Sequence, residues 1–174
     1  MTQTKTSTLE KAKRAWALAE EALSDREIER RARGFGVLVR GIAEQGSVSP
    51  SALAEALDLE PAAARDLFES FATVGVELDE HGHVIGAALT TKQTPHEIQL
   101  GSRRLYAWCA FDTLFIPGLL GVTAQIRSNC PQSGKTIRLT VSADRIEACE
   151  SSGVWLSVFL PVGGRNQIGP TTPT

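Results

Sequence analysis

Residues 103–114 read RRLYAWCAFDTL, and the pattern changes in the middle of this stretch. Leu105 and Ala107 alternate with Tyr106 and Trp108 at the two-residue period of a strand, whereas Phe111, Leu114 and Phe115 fall at helical spacing. An extended segment therefore enters a helix at Cys109, three residues before Asp112. Unpaired N–H groups and the positive end of the helix dipole favour a thiolate there, so the placement predicts a Cys109 pKa below the free value of ~8.5. Positions i and i+3 share a helix face, which lets the Asp112 carboxyl meet whatever the sulfur binds. An ionised Cys109 would in turn raise the Asp112 pKa and keep a proton available. A soft nucleophile beside a proton donor is one reading. The other is a buried small hydrophobe next to a capping or surface acid, and the residue types alone favour this plainer one.

Upstream, residues 9–33 are rich in Ala, Glu, Lys and Arg and read as helix with a thin apolar stripe of Trp16, Ala19, Leu23 and Ile28; the polar residues before them read as disordered. From Gly34, residues Phe35, Val37, Leu38 and Ile42 form a helical face that Gly46 ends. Ser49-Pro50 caps and starts a second helix ending near Asp58, and Pro61 starts a third bearing Ala64, Leu67, Phe68 and Phe71. Alternating segments at 76–79 and 84–89 follow, joined by a turn at 80–83. Three helices and a hairpin is the order of a winged helix, so a DNA-binding regulator is a rival function. The third helix, however, sets Arg65 against Asp66 and Glu69, with Glu60 just before it. It lacks the basic face that phosphate contacts require, and a winged helix reused as a packing scaffold is the better reading.

Downstream, strands are expected at 97–100, 105–108, 122–128, 136–141 and 154–160, with helices after Cys109 and after Ser142. The fold class is thus α+β: an N-terminal helical winged-helix-like unit followed by a small mixed β-sheet domain with short helices. The expected divisions are a helical extension at 1–33, a winged-helix-like domain at 34–90, a sheet domain at 91–161 and a disordered Gly/Pro/Thr tail at 162–174. The strand at 154–160 would be the last in the sheet and leave an apolar edge.

Other chemistry-bearing residues have plain explanations. Cys130 opens CPQSG, where a zinc knuckle would carry a second cysteine at Ser133, and no CxxC or HxxxH supplies further ligands. Cys149 is expected at the end of the helix begun near Ser142. His81 and His83 flank Gly82 in a turn, pointing to opposite sides, and His96 follows Pro95 with no apparent acid partner. Phosphate loop, dinucleotide fingerprint, GxSxG and HExxH are all missing, so no cofactor is expected. A net charge of −2 and a pI near 5.9 argue against dependence on nucleic acid or an anionic membrane. With no apolar run near the ~20 residues of a membrane span and a polar start, the expected location is the cytoplasm. Three cysteines at uneven spacing make no disulfide framework and suit free thiols.

RRLYAWCAFDTLFIP, TAQIRSNC ending at Cys130, LTVSADRIEA and VWLSVFLP, with VSPSALAEALDL and DEHGHVIGAALT upstream, together resemble the organomercurial lyase (alkylmercury lyase) family over about 48–161. The resemblance implies that two cysteines and an aspartate act together on a carbon–mercury bond. Cys109 and Asp112 occupy the matching positions of the first cysteine and the aspartate, and Cys130 matches a cysteine with a structural role. The implied mechanism has the Cys109 thiolate take R–Hg(II) from a small thiol, soft metal preferring sulfur. A second thiolate then adds to the mercury while the aspartic acid protonates the departing carbon. Hydrocarbon and Hg(II) result, with a mercuric reductase as the implied acceptor of Hg(II), and the setting is mercuric resistance and detoxification. Trp108, Phe111 and Phe115 suit an apolar wall for the organic group, or ordinary core packing. The second cysteine belongs to a cysteine-rich strand following the segment that matches VWLSVFLP, where this chain reads VGGRNQIGPTTPT. The expectation is therefore a lyase lacking its C-terminal part, with impaired cleavage; the alternative is a non-catalytic homologue that only binds mercurials.

Overall fold

A computed structural model describes residues 25–156. Helix α1 spans Asp25–Gln45, α2 Pro50–Leu57 and α3 Pro61–Val74. Ser49 caps α2 as its sequence predicts, its Oγ accepting the Ala52 N–H at 3.1 Å with Pro50 in the first turn. Helix α1 runs through Gly34 without interruption. Glycine there serves packing: a Cβ on Gly34 would lie 2.9 Å from Phe71 Cζ and 3.1 Å from Leu67 Cδ2, so its absence lets α3 approach. The stripe residues Trp16, Ala19 and Leu23 lie outside the described residues, as does the tail at 162–174.

Eight short strands follow the helices: β1 Glu77–Leu78, β2 Val84–Ala87, β3 Leu89–Thr90, β4 His96–Leu100, β5 Arg103–Ala107, β6 Ala124–Asn129, β7 Thr136–Val141 and β8 Ile146–Cys149. Helix α4, Asp112–Leu120, connects β5 to β6. The strands form one sheet in the order β1-β2-β3-β5-β4-β6-β7-β8. Every pairing in it is antiparallel, which corrects the expected mixed sheet. The connections explain the correction: most adjacent strands are joined by turns too short for a parallel crossover. The one helical crossover, α4, steps over β4, so β5 and β6 share a direction without pairing to each other.

The described core lies between the helices and strands β2 to β7 of the sheet. Leu38, Val39 and Ile42 of α1 are fully buried with Leu89, Ile98 and Ala107 of the sheet and Ile116 of α4. Strand β6 shows the half-buried alternation cleanly, with Ala124, Ile126 and Ser128 inward and Gln125, Arg127 and Asn129 exposed.

The helix expected after Ser142 is instead β8. Ser142 N–H donates to the Arg145 carbonyl at 2.9 Å and closes a hairpin turn, and the following residues pair with β7 as Leu139↔Cys149 and Thr140↔Ala148. The Ala and Glu content suggests helix, but the unpaired edge of β7 supplies a ladder that outweighs so weak a propensity. Of the strand expected at 154–160, Val154, Trp155 and Leu156 belong to no strand, and 157–160 lie outside the described residues.

Gly41 provides a stability test in which two effects oppose. Alanine is favoured over glycine in a helix by ~1 kcal/mol. A Cβ on Gly41, however, would sit 2.3 Å from Val48 Cγ2. Val48 is 4% exposed and tied to Val84 by backbone bonds of 2.8 and 2.9 Å, so it has little room to retreat. Overpacking costs ~1–3 kcal/mol and should win. Gly41→Ala is expected to lower the urea midpoint, contrary to helix propensity.

Candidate active site

Strand β5 ends at Ala107, which is fully buried and paired with Leu89 of β3 on one side and His96 of β4 on the other. The chain then bends through Trp108 and Cys109, turns at Ala110 and Phe111, and enters α4 at Asp112. Cys109 thus stands at a strand-to-helix junction, as the sequence predicts. Phe111 occupies the N-cap position and has no side-chain cap bond. Asp112 acts in its place: its Oδ2 accepts the Cys109 backbone N–H at 2.8 Å, and its charge lies in the first turn where the dipole favours an acid. Thr113, 1% exposed, donates its hydroxyl to the Ala110 carbonyl at 2.7 Å and tightens the same turn. Asp112 thus closes the turn that carries Cys109, which is exposed and not buried as the plainer reading has it.

The electrostatics differ from the expectation for Cys109. Its thiol pKa is raised, chiefly because surrounding protein removes water from the sulfur, and further because the Asp112 carboxyl is its neighbour; the N–H groups near the helix start pull the other way and lose. A junction of this short helix offers too little positive potential to offset burial and a facing acid. Asp112 is raised too, as expected, but burial is the main cause, and hydrogen bonding with Cys109 opposes it. Thiol and acid are thus both shifted toward their protonated forms, although Cys109 as a residue remains exposed.

Three phenylalanines run away from this turn. Phe111 and Phe115 have ring centroids 5.7 Å apart, and Phe115 and Phe35 of α1 are 6.4 Å apart. Phe111 is 48% exposed, which leaves an apolar surface beside Cys109, while Phe115 packs against the core. The Trp108 indole N–H donates to Glu77 Oε1 at 2.8 Å. Glu77 was not singled out from the sequence; its signal, an acid in a short alternating segment, is indistinguishable from a solvated edge residue.

The other cysteines lie elsewhere on the sheet. Cys130 is in the β6–β7 turn, where its N–H donates to the Lys135 carbonyl at 2.9 Å and hydrogen bonding with Ser133 lowers its thiol pKa. Ala107, His96 and Ser128 stand in one row across β5, β4 and β6. Cys109 and Cys130 each follow that row by two residues, two strands apart, or on the order of 10 Å. Cys149 ends β8, not a helix, and donates its thiol to the Ser151 carbonyl. It is four strands from β5 in the sheet order, roughly 19 Å away.

The histidines fit structural roles. Both His81 and His83 N–H groups donate to Asp79 Oδ1 at 2.9 Å, an Asx-type turn that lowers the Asp79 pKa. Their rings are 6.1 Å apart, closer than opposed placement suggests. His96 does have a partner: its Nδ1 lies 3.1 Å from Ser128 Oγ, and burial lowers its pKa. Among the described residues, no three His, Cys, Asp or Glu side chains gather to hold a metal ion, and no helix is long and apolar enough to cross a membrane.

The chain is similar to known proteins over much of its length. The family model for alkylmercury lyase matches residues 89–168. The chain is 48% identical over 86 residues to an alkylmercury lyase of Staphylococcus epidermidis, covering 49% of this chain and 40% of that protein. It is 36% identical over 144 residues to one of Pseudomonas putida, covering 83% and 67%, and 34% identical over 124 residues to one of Streptomyces lividans, covering 71% and 57%. It therefore spans between two fifths and two thirds of these relatives' lengths. The crystal structure of the mercury-bound form of MerB2 has the same fold, with a TM-score of 0.60 at 23% identity, covering 80% of this chain and 66% of that one.

Proposed function

The chain belongs to the alkylmercury lyase family, and on that premise we propose that it takes up organomercurials at Cys109 and uses Asp112 to protonate the carbon that leaves mercury. The observation that carries this reading is the Cys109–Asp112 pair itself. The carboxyl lies 2.8 Å from the Cys109 nitrogen, and burial keeps it toward its protonated form. Capture is a ligand exchange: the sulfur of Cys109 bonds to mercury, a small carrier thiol leaves, and the Cys109 proton passes to it or to solvent. In the cleavage step the carbon–mercury bond breaks with its electron pair going to carbon. That carbon takes the Asp112 proton, and mercury stays on sulfur as Hg(II). Burial moves the Asp112 pKa up toward the working pH, the direction that suits a general acid. The phenyl or alkyl group rests against Phe111.

A second sulfur donor on mercury would push electron density toward carbon. Cys149, on a strand roughly 19 Å off across the sheet, is badly placed for this, so we assign the task to an external small thiol, on which the rate of cleavage should depend. A mercuric reductase is the acceptor of the Hg(II). Residues 34–90 act in this reading as a winged-helix-like scaffold and 91–161 as the lyase unit.

A single-turnover assay decides the matter. Protein loaded with one equivalent of phenylmercury is followed for benzene with and without excess small thiol. Slow release that added thiol accelerates is the expected result. Equally fast release in both conditions would show that no external sulfur is required, and binding without benzene in either would leave a mercurial-binding protein that does not cleave.

A further inference from the structure

Glu77 of β1 pairs with Gly86 where the register against β2 shifts, Leu78 pairing with Val84 and leaving Ile85 as the extra residue on β2. The extra residue bends β2 and twists the ladder at this pair, which turns the side chains that meet there. Gly86 gives the redirected chain its space: a Cβ there would meet Glu77 Cδ at 2.8 Å, so the carboxyl lies across the glycine. The Glu77 side chain is only 10% exposed, and both oxygens are occupied. Oε1 accepts the Trp108 indole N–H at 2.8 Å; Oε2 accepts the hydroxyl of fully buried Thr90 at 2.9 Å and faces Lys92 Nζ at 3.4 Å.

Trp108 is held a second time. Its backbone N–H donates at 2.9 Å to the carbonyl of Ala88, a 6%-exposed residue with φ 61°. A residue with a Cβ in that left-handed region costs ~1–3 kcal/mol and persists only where its surroundings over-determine it. A buried carboxylate and a strained alanine, each unfavourable alone, converge on the residue immediately before Cys109.

From this convergence we infer that Glu77 is a positioning residue: through Trp108 it fixes the turn that carries Cys109, and with it the direction in which the sulfur meets Asp112. The inference deepens the proposed function and rests on Cys109 being the mercury ligand. Loss of the carboxyl frees the indole and loosens the turn. The sulfur is then no longer held in one direction beside Asp112, and an alkylating reagent meets it in more orientations.

The test is peptide-resolved iodoacetamide labelling of the full chain, with Cys130 and Cys149 as internal references. Glu77→Ala and Trp108→Phe should each accelerate labelling of Cys109 relative to Cys149 by about threefold or more, a typical size for residues sharing one network. The double variant should be no faster than either single one, and Glu77→Gln, whose amide oxygen still accepts the indole N–H, should stay near the parent rate. An unchanged Cys109 rate in Glu77→Ala, effects that multiply independently, or equal acceleration at all three cysteines would overturn the inference. Phenylmercury uptake is measured in a separate arm: failure of parental Cys109 to take it up sinks the proposed function, while the labelling ratios still decide the role of Glu77.

Discussion

Cys109→Ser is expected to remove mercurial binding that survives competition from a small thiol, with affinity falling by two decades or more, about 2.7 kcal/mol. Mercury is soft and binds thiolate sulfur far better than a hydroxyl oxygen, so serine keeps the shape of the site and loses its chemistry. The three thiols are all free, so each will titrate with mercurial in the absence of competitor. Competition should separate them, because Cys109 has Asp112 and the exposed Phe111 ring beside it to retain R–Hg(II). Native mass spectrometry in excess small thiol should find one phenylmercury per parent chain and none on the variant. Retention of that equivalent by Cys109→Ser would assign the ligand to another cysteine. Stability should barely move, since an exposed cysteine is replaced by a near-isostere and surface changes of this kind stay within about 0.5 kcal/mol.

The parts of the molecule visible in its sequence are those governed by local rules. Ser49-Pro50 and Pro61 mark helix starts, and the strand-to-helix passage at Cys109 follows from a change of hydrophobic period. What escaped depends on contacts distant in sequence. The packing role of Gly34 shows only when Phe71, far along the chain, is seen occupying the place of its side chain. SADRIEAC has helix-compatible composition, yet β7 recruits it as an edge strand. The mixed sheet was a misreading of connectivity, since alternation within a strand says nothing about its partner's direction. The site followed the same division. Spacing placed Cys109 and Asp112 together, but the sign of the thiol shift depended on burial, and the support from Glu77 required a bulge and a glycine that only the folded sheet brings together.

Asp112→Asn is expected to separate binding from cleavage. The variant keeps Cys109, and an asparagine carbonyl can still accept the Cys109 N–H, so the turn and the mercurial complex should persist. It has no acidic proton for carbon, and benzene release should fall by about a hundredfold or more, the usual contribution of a positioned general acid. Stability should change in the opposite sense. Burial raises the Asp112 pKa in the folded state, so between its ordinary carboxylate value and that raised value the native chain binds more protons than the unfolded one. Stability from this group is therefore lost as pH rises through that window, and above it the folded state holds a partly buried charge at a cost. Asparagine has no such dependence. The stability of Asp112→Asn relative to the parent should grow as pH rises from acid toward neutral, as urea midpoints at several pH values will reveal. The variant also loses the charge that helps hold the Cys109 thiol protonated, although burial, the larger cause, remains; Cys109 should therefore label somewhat faster at neutral pH. A variant that is less stable at every pH would make Asp112 chiefly a cap, and one that still releases benzene at the parent rate would place the proton donor elsewhere.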